Sequence, residues 1–297
     1  MFESLQKNLS QSGNSLGQSA RKYGTMDGKL GEKQKTLMNE FLIGLQFLTR
    51  INLVRQTVWT EKSFGGSVKF FPAVGAVLGI IYAVTVGILI FLTGDAIPIF
   101  IGAVGFFLSV ILTGGIHCDG LADTADGLFS GREREKILEI MKDSRAGSFG
   151  VMSLILISAL QISALAELAK ISPVWTCTAI FSAPIIGRLA MVFVIKKFPY
   201  ARPQGTGKAF SIYTTQKTLN FATLETILFL TPIIFLSLKI FLTSLFAIIA
   251  TIIFSWRFGI FSTEKIGGVT GDIYGAVEII SETVTIIIFL FVALFNV

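Results

Sequence analysis

Charge is scarce in this sequence. Only 15% of its 297 residues are Asp, Glu, Lys or Arg, against about 25% in a soluble domain. Hydrophobic residues make up 52%, Phe alone occurs 27 times, and the mean hydropathy is +0.72. A soluble core of this length cannot absorb that much apolar surface, so a bilayer is the solvent for most of the chain. Cysteine is nearly absent: Cys118 and Cys177 fall in or beside apolar stretches with no ligand spacing. That excludes a disulfide framework and leaves two free thiols. No aromatics interleave with the basic residues as base-stacking groups would. The net charge of +6 therefore reads as a membrane-surface bias, and nucleic acid is set aside as a partner. No internal repeat of useful length is present either.

Polar composition is concentrated at the start. Residues 1–40 are rich in Ser, Gln, Gly and Lys with almost no apolar periodicity, which predicts a mobile tail ahead of a membrane-embedded domain over 41–297. No apolar h-region follows the tail's basic residues, so it does not read as a secretory signal. The next stretch, FLIGLQFLTRI (Phe41–Ile51), is too short to span and is expected on the membrane surface.

Seven spans of about 20 residues follow: Phe70–Leu92, Ile97–Ile116, Phe149–Ala169, Pro173–Ile195, Leu219–Leu238, Ile240–Phe258 and Val277–Phe295. The 40-residue run from Leu219 to Phe258 is about two crossings long and is divided at Lys239, with Pro232 kinking the first helix. The fold class is thus all-α, a polytopic membrane protein. Ten Lys and Arg precede the first span, and five more lie in each of loops 117–148 and 196–218, whereas the alternate loops hold only Lys170 and Lys239. Basic residues mark the cytoplasmic side. The amino terminus and the long polar loops are therefore expected at the cytoplasmic face of the inner cell membrane, and the carboxyl terminus outside.

The densest polar stretch is GGIHCDGLADTADGLFSG, residues 114–131. Asp119, Asp123 and Asp126 are spaced i, i+4, i+7, so on a helix they fall within about 60° of one another. Without counterions they repel, and a bound divalent cation relieves the conflict. Oxygen-only ligands at this spacing suit Mg²⁺, which uses one or two carboxylates plus substrate phosphates and waters. The same residues also suit a solvated helix face at a membrane boundary. The loop that follows adds Lys142 and Arg145 beside Asp143, cations able to receive phosphate oxygens. Arg132, Glu133, Arg134 and Glu135 read as a mixed solvated surface.

A second acidic group lies in KIGGVTGDIYGAVEIISETV, with Asp272 in a glycine-rich turn and Glu278 and Glu282 one helical turn apart. Carboxylates inside a span are costly, about 2.5–3.5 kcal/mol each near the bilayer centre. An inward-facing role is expected for this pair, as metal ligands or as partners of Arg188, which sits mid-span in PIIGRLAMVF. In KKFPYARPQGTGKAF, the QGTGK run fails as a Walker motif because Arg202 and Ala209 stand where Gly and Ser or Thr are needed. A glycine-rich turn flanked by Arg202 and Lys208 can still cradle phosphate, and an ordinary basic loop explains it equally well. The single histidine, His117, lies two residues before Asp119, within range of contact with the metal carboxylates or of proton transfer.

HCDGLADTADGLFSGREREKILEIMKDSRAGSFG resembles the signature of the cobalamin synthases, the adenosylcobinamide-GDP ribazoletransferases. FLTRI, FFPAVGAVLG, GRLAMVFVIKKFPYARPQGTGKAF and GGVTGDIYGAVEIISE support it in the order that family shows. The resemblance covers about Phe41 to the carboxyl terminus. Cys118 stands where the family usually has Leu, and the polar tail looks like an extension. The resemblance implies an integral membrane, Mg²⁺-dependent enzyme. In its reaction α-ribazole, or its 5′-phosphate, attacks adenosylcobinamide-GDP, GMP leaves, and adenosylcobalamin or its 5′-phosphate forms. Other enzymes of cobalamin assembly are implied as partners. On this reading Asp119, Asp123 and Asp126 hold Mg²⁺ with Asp272 as a further ligand. Lys142, Arg145, Arg202 and Lys208 take phosphates, with Asp143, Arg188, Glu278 and Glu282 in support. His117, or an aspartate not fully engaged by metal (Asp119 or Asp126), is the catalytic base.

Two rivals remain. A CDP-alcohol phosphotransferase also gathers aspartates around divalent metal, but its DG-x-x-A-R pattern breaks here, where D-G-L-A is followed by Asp123. A cation- or proton-coupled transporter could use Arg188, Glu278 and Glu282, but the paired halves of that class are missing.

Overall fold

The computed structural model describes residues 26–55 and 60–295, which are helical with no strand among them. The first 25 residues of the predicted mobile tail lie outside the described residues. Helix α1, Met26–Leu48, already covers residues 26–40, so the boundary at residue 40 is not an element boundary. A short helix α2 (Glu61–Gly66) and a 3₁₀ turn (Ser67–Phe70) lead into α3, Phe71–Thr93. Then come α4 (Pro98–Thr113), α5 (Ile116–Leu128), α6 (Arg134–Ile140), α7 (Ser148–Ile171) and α8 (Pro173–Lys197). The chain ends with α9 (Thr206–Tyr213), α10 (Gln216–Leu230), α11 (Leu238–Ile266) and α12 (Gly271–Leu294).

Six stretches are long and apolar enough to cross a membrane: 61–93, α7, α8, α10 with its 3₁₀ end, α11 and α12. A seventh counts if α4 and α5, bent by 92° at their junction, form one span. Helix α4 fills most of the span expected over 97–116, and the bend falls at its end. Gly114 and Gly115 both take left-handed backbone, φ +66° and +74°, which L side chains resist, so α4 stops after 16 residues. The run from Leu219 divides into two spans as expected, at Leu236–Ser237 beside Lys239. Pro232 lies in the 3₁₀ turn Thr231–Phe235 and so ends the α-helical part of α10 instead of kinking it. At its far end α11 continues eight residues past the expected limit, Phe258, to Ile266.

Helix α8 is the centre of the bundle. Its side chains are buried almost all round, from Thr176 to Ile195, as a helix apolar on every face should be. The surrounding helices bury one side and leave Phe91, Phe107, Ile155, Leu228 and Phe291 outward, the surface lipid covers. The segment expected on the membrane surface is instead covered by protein. Ile43, Leu45 and Leu48 are buried beside a cluster of rings in which Phe64 stacks on Phe210 at 4.4 Å and Phe47 meets both edge-on. Helices α1, α2 and α9 thereby cap the end of the bundle that also carries loops 114–147 and 198–205.

Candidate active site

The bend after α4 decides where the aspartates go. It swings α5 against α7 and α12, and the closest approach is at Gly120. A methyl group there would lie 2.6 Å from the Asp272 carbonyl oxygen, so no larger residue fits without moving a helix. This contact brings Asp119 and Asp123 beside the amino-terminal turn of α12, where Asp272 sits. Asp119 is exposed and Asp123 half-buried. Neither carboxylate has a hydrogen-bond or ion-pair partner among the described residues. The charges of Asp119, Asp272 and Asp126 repel that of Asp123, and Arg202 attracts it.

Arg202 reaches this mouth through a short backbone bridge. Ala201 N donates to Val269 O and Val269 N to Pro199 O, each at 2.8 Å, tying the loop after α8 to the turn before α12. The Arg202 guanidinium then pairs with Asp272 Oδ2 at 2.8 Å. Thr270 Oγ1 donates to the same oxygen at 3.1 Å while capping α12. Thr270 and Tyr200, which flank this bridge, were not singled out from sequence. The T-G-D run before an apolar helix is a legible cap signal, whereas Tyr200 carries none.

Asp126 departs from its expected part. Its oxygens accept from Gly147 N at 2.7 Å and Gly150 N at 2.8 Å, so the carboxylate caps the amino terminus of α7, where the helix dipole favours negative charge. Among the described residues, no three His, Cys, Asp or Glu side chains come together as a ready metal cluster.

His117 faces away from the mouth. Two residues on a helix are about 200° apart, and its Nε2 lies 3.7 Å from Glu278 Oε2 and 3.5 Å from Arg188 Nη2 in the bundle interior. Arg188, fully buried, donates to Glu278 Oε1 at 2.7 Å, Glu282 Oε1 at 3.3 Å and the Pro184 carbonyl at 3.0 Å. Of the two roles open for Glu278 and Glu282, the structure gives them that of partners to Arg188.

The remaining cations lie on the loops. Arg145 is 86% exposed and forms a two-point pair with Asp143, Nη2 to Oδ2 at 2.6 Å and Nε to Oδ1 at 3.0 Å. Hydrogen bonds from Arg145 hold the Asp143 carboxyl at about 2, below the usual carboxylate range. Lys142 is exposed. Lys208 Nζ donates to the Pro203 carbonyl, folding the glycine-rich turn onto itself.

A family model described as cobalamin-5-phosphate synthase matches residues 40–290. Curated relatives named adenosylcobinamide-GDP ribazoletransferase include one from Fusobacterium nucleatum, 35% identical over 87% of this chain and 99% of its own length. Others come from Clostridium botulinum, 33% identical over 86% and 99%, and Clostridium acetobutylicum, 36% identical over 82% and 92%. No solved structure matches.

Proposed function

The chain belongs to the cobalamin-5-phosphate synthase family, and from that premise we propose that it is an adenosylcobinamide-GDP ribazoletransferase working at the mouth between α5 and α12. The observation that carries this reading is a match along nearly the whole length of relatives bearing that name; neither a CDP-alcohol phosphotransferase nor a transporter is favoured by it. The reaction joins α-ribazole, or its 5′-phosphate, to adenosylcobinamide-GDP at the cobinamide-side phosphorus and releases GMP.

Two unpartnered carboxylates, Asp119 and Asp123, fit a hard divalent ion that keeps waters and substrate phosphate in its other positions, as Mg²⁺ does. Asp272 faces the same mouth but is held by Arg202 and Thr270, so it would serve the ion only on leaving that pair. When bound, the ion supplies charge neutralisation at the phosphate oxygens. Arg202 and Lys208 receive phosphate oxygens on the α9 side, and Lys142 and Arg145 do so from the loop before α7. The carboxylate of Asp119 or Asp123 left off the metal takes the nucleophile's proton. His117, enclosed with Arg188 and Glu278, has no route to that proton. The basic residues of the loops support a cytoplasmic, inner-membrane position for this mouth.

The test is incubation of purified protein with adenosylcobinamide-GDP and α-ribazole, with Mg²⁺ or with a strong chelator, followed by product identification. The expected result is product and GMP with Mg²⁺ and neither with chelator. No product under any metal condition overturns the assignment, and equal product under chelation removes the metal from it.

A further inference from the structure

Helix α9 starts at Thr206 behind Gly205, whose φ is +136°. The first N–H groups of a helix lack intrahelical partners and attract anions, which alone is unremarkable. Here two tyrosines close over that turn. A methyl group on Gly207 would lie 2.9 Å from Tyr200 Cε2, 3.1 Å from its hydroxyl oxygen and 3.2 Å from Tyr274 Cε2. One on Gly205 would lie 2.7 Å from the Tyr200 hydroxyl. The two rings stand 6.3 Å apart.

Tyr274 is only 2% exposed, and its hydroxyl has no hydrogen-bond partner among the described residues. Nor has Nε of Arg202. Buried polar atoms are ordinarily paired, so two orphaned donors beside one helix start point to a ligand that completes them. The Tyr200 phenol, its pKa raised chiefly by burial, lies close enough to the Arg202 guanidinium and the Gly271 backbone to feel both.

We propose that Tyr200, Tyr274, the N–H groups of Thr206 and Gly207 and the Arg202 guanidinium form a phosphate cradle that takes the diphosphate of the nucleotide-linked substrate. The substrate's identity rests on the transferase reading; the cradle does not. Arg202 joins the two halves of the mouth, since its guanidinium pairs with Asp272 on one side and lies near the Tyr200 phenol on the other. The diphosphate would thus lie between the α9 turn and the free aspartates.

The experiment uses the full chain in lipid nanodiscs, comparing wild type, Tyr200→Phe, Tyr274→Phe and the double variant. Inorganic pyrophosphate binding is measured by calorimetry, and KM is measured separately for adenosylcobinamide-GDP and for α-ribazole. One hydrogen bond to a charged group corresponds to about tenfold or more in affinity. Tyr200→Phe is therefore expected to weaken pyrophosphate by about that factor and to raise KM for the diphosphate substrate alike, leaving KM for α-ribazole unchanged. Unchanged pyrophosphate binding in Tyr200→Phe, or equal movement of both KM values, overturns the cradle. Tyr200 is only half-buried, so its variant carries the test even if Tyr274→Phe fails to fold. Pyrophosphate binding is read without turnover, so a wild type that binds it but makes no product faults the transferase reading and not the cradle.

Discussion

Helices α5 and α12 each carry two kinds of ionisable group with opposite fates. At the mouth, Asp119 and Asp123 have no partner among the described residues and Asp272 has one cation. Deeper in the bundle, His117, Glu278 and Glu282 converge on Arg188, which ties α8 to α12 through two carboxylates. The same chemistry is thus used once to hold helices together and once to leave charge unanswered. Buried charge survives only when paired, so the interior set is committed to structure. At the mouth, water solvates Asp119, while half-buried Asp123, crowded by Asp119, Asp272 and Asp126, carries the repulsion that a bound cation relieves.

Removing the hub of the interior set should have the largest effect. Arg188→Leu leaves two buried carboxylates unpaired, and breaking such a pair costs about 3–5 kcal/mol. The expected outcome is a large fall in thermal stability in detergent, or loss of folded protein from the membrane. A variant as stable as wild type would mean the interior cluster is not what binds α8 to α12. At the mouth the contrast should invert. Asp119→Ala is expected to lower turnover about a hundredfold or more, because charge neutralisation at phosphate is worth several kcal/mol, while the melting temperature stays put. GMP release and thermal unfolding measured on the same sample separate the two regions; near-normal turnover would remove Asp119 from the chemistry.

Asp126 lies between these extremes. As a cap on α7 its replacement by Ala should cost about 0.5–2 kcal/mol of stability, with a smaller loss of turnover than Asp119→Ala produces. A loss of turnover as deep as that of Asp119→Ala would return it to the metal site. The smallest effect belongs to the exposed Asp143–Arg145 pair. Its carboxyl pKa is depressed, so the pair is fully formed above the ordinary carboxylate range and is lost as pH falls through about 2. A carboxyl carbon titration should find that midpoint, and Arg145→Ala should move it up toward the ordinary value. Between pH 7 and pH 5 this pair contributes no change in thermal stability.

Some of this site is legible in the sequence. The i, i+4 spacing of Asp119 and Asp123 puts them on one face of any helix, and Arg188 inside an apolar run demands a carboxylate. Other parts were not. Asp126 shares that face by spacing, but its partners are two backbone groups more than 20 residues away, and no local pattern announces them. His117 was linked to the aspartates by nearness along the chain, although a two-residue step turns it to the opposite side. Residues 41–51 looked like a surface anchor because their apolar count was visible and the rings of Phe64 and Phe210 that cover them were not.

Hydropathy and charge by themselves determined that this is a helical membrane protein, with seven apolar segments and its polar loops gathered on one face. Those properties depend on solvent preference, which each segment carries alone. Which carboxylate is free, which is a cap and which is locked to an arginine was decided only when α5 turned at Gly114–Gly115 and closed on α12 at Gly120. Charge is stabilised by what stands within a few ångströms, and here those neighbours come from helices far apart in the chain.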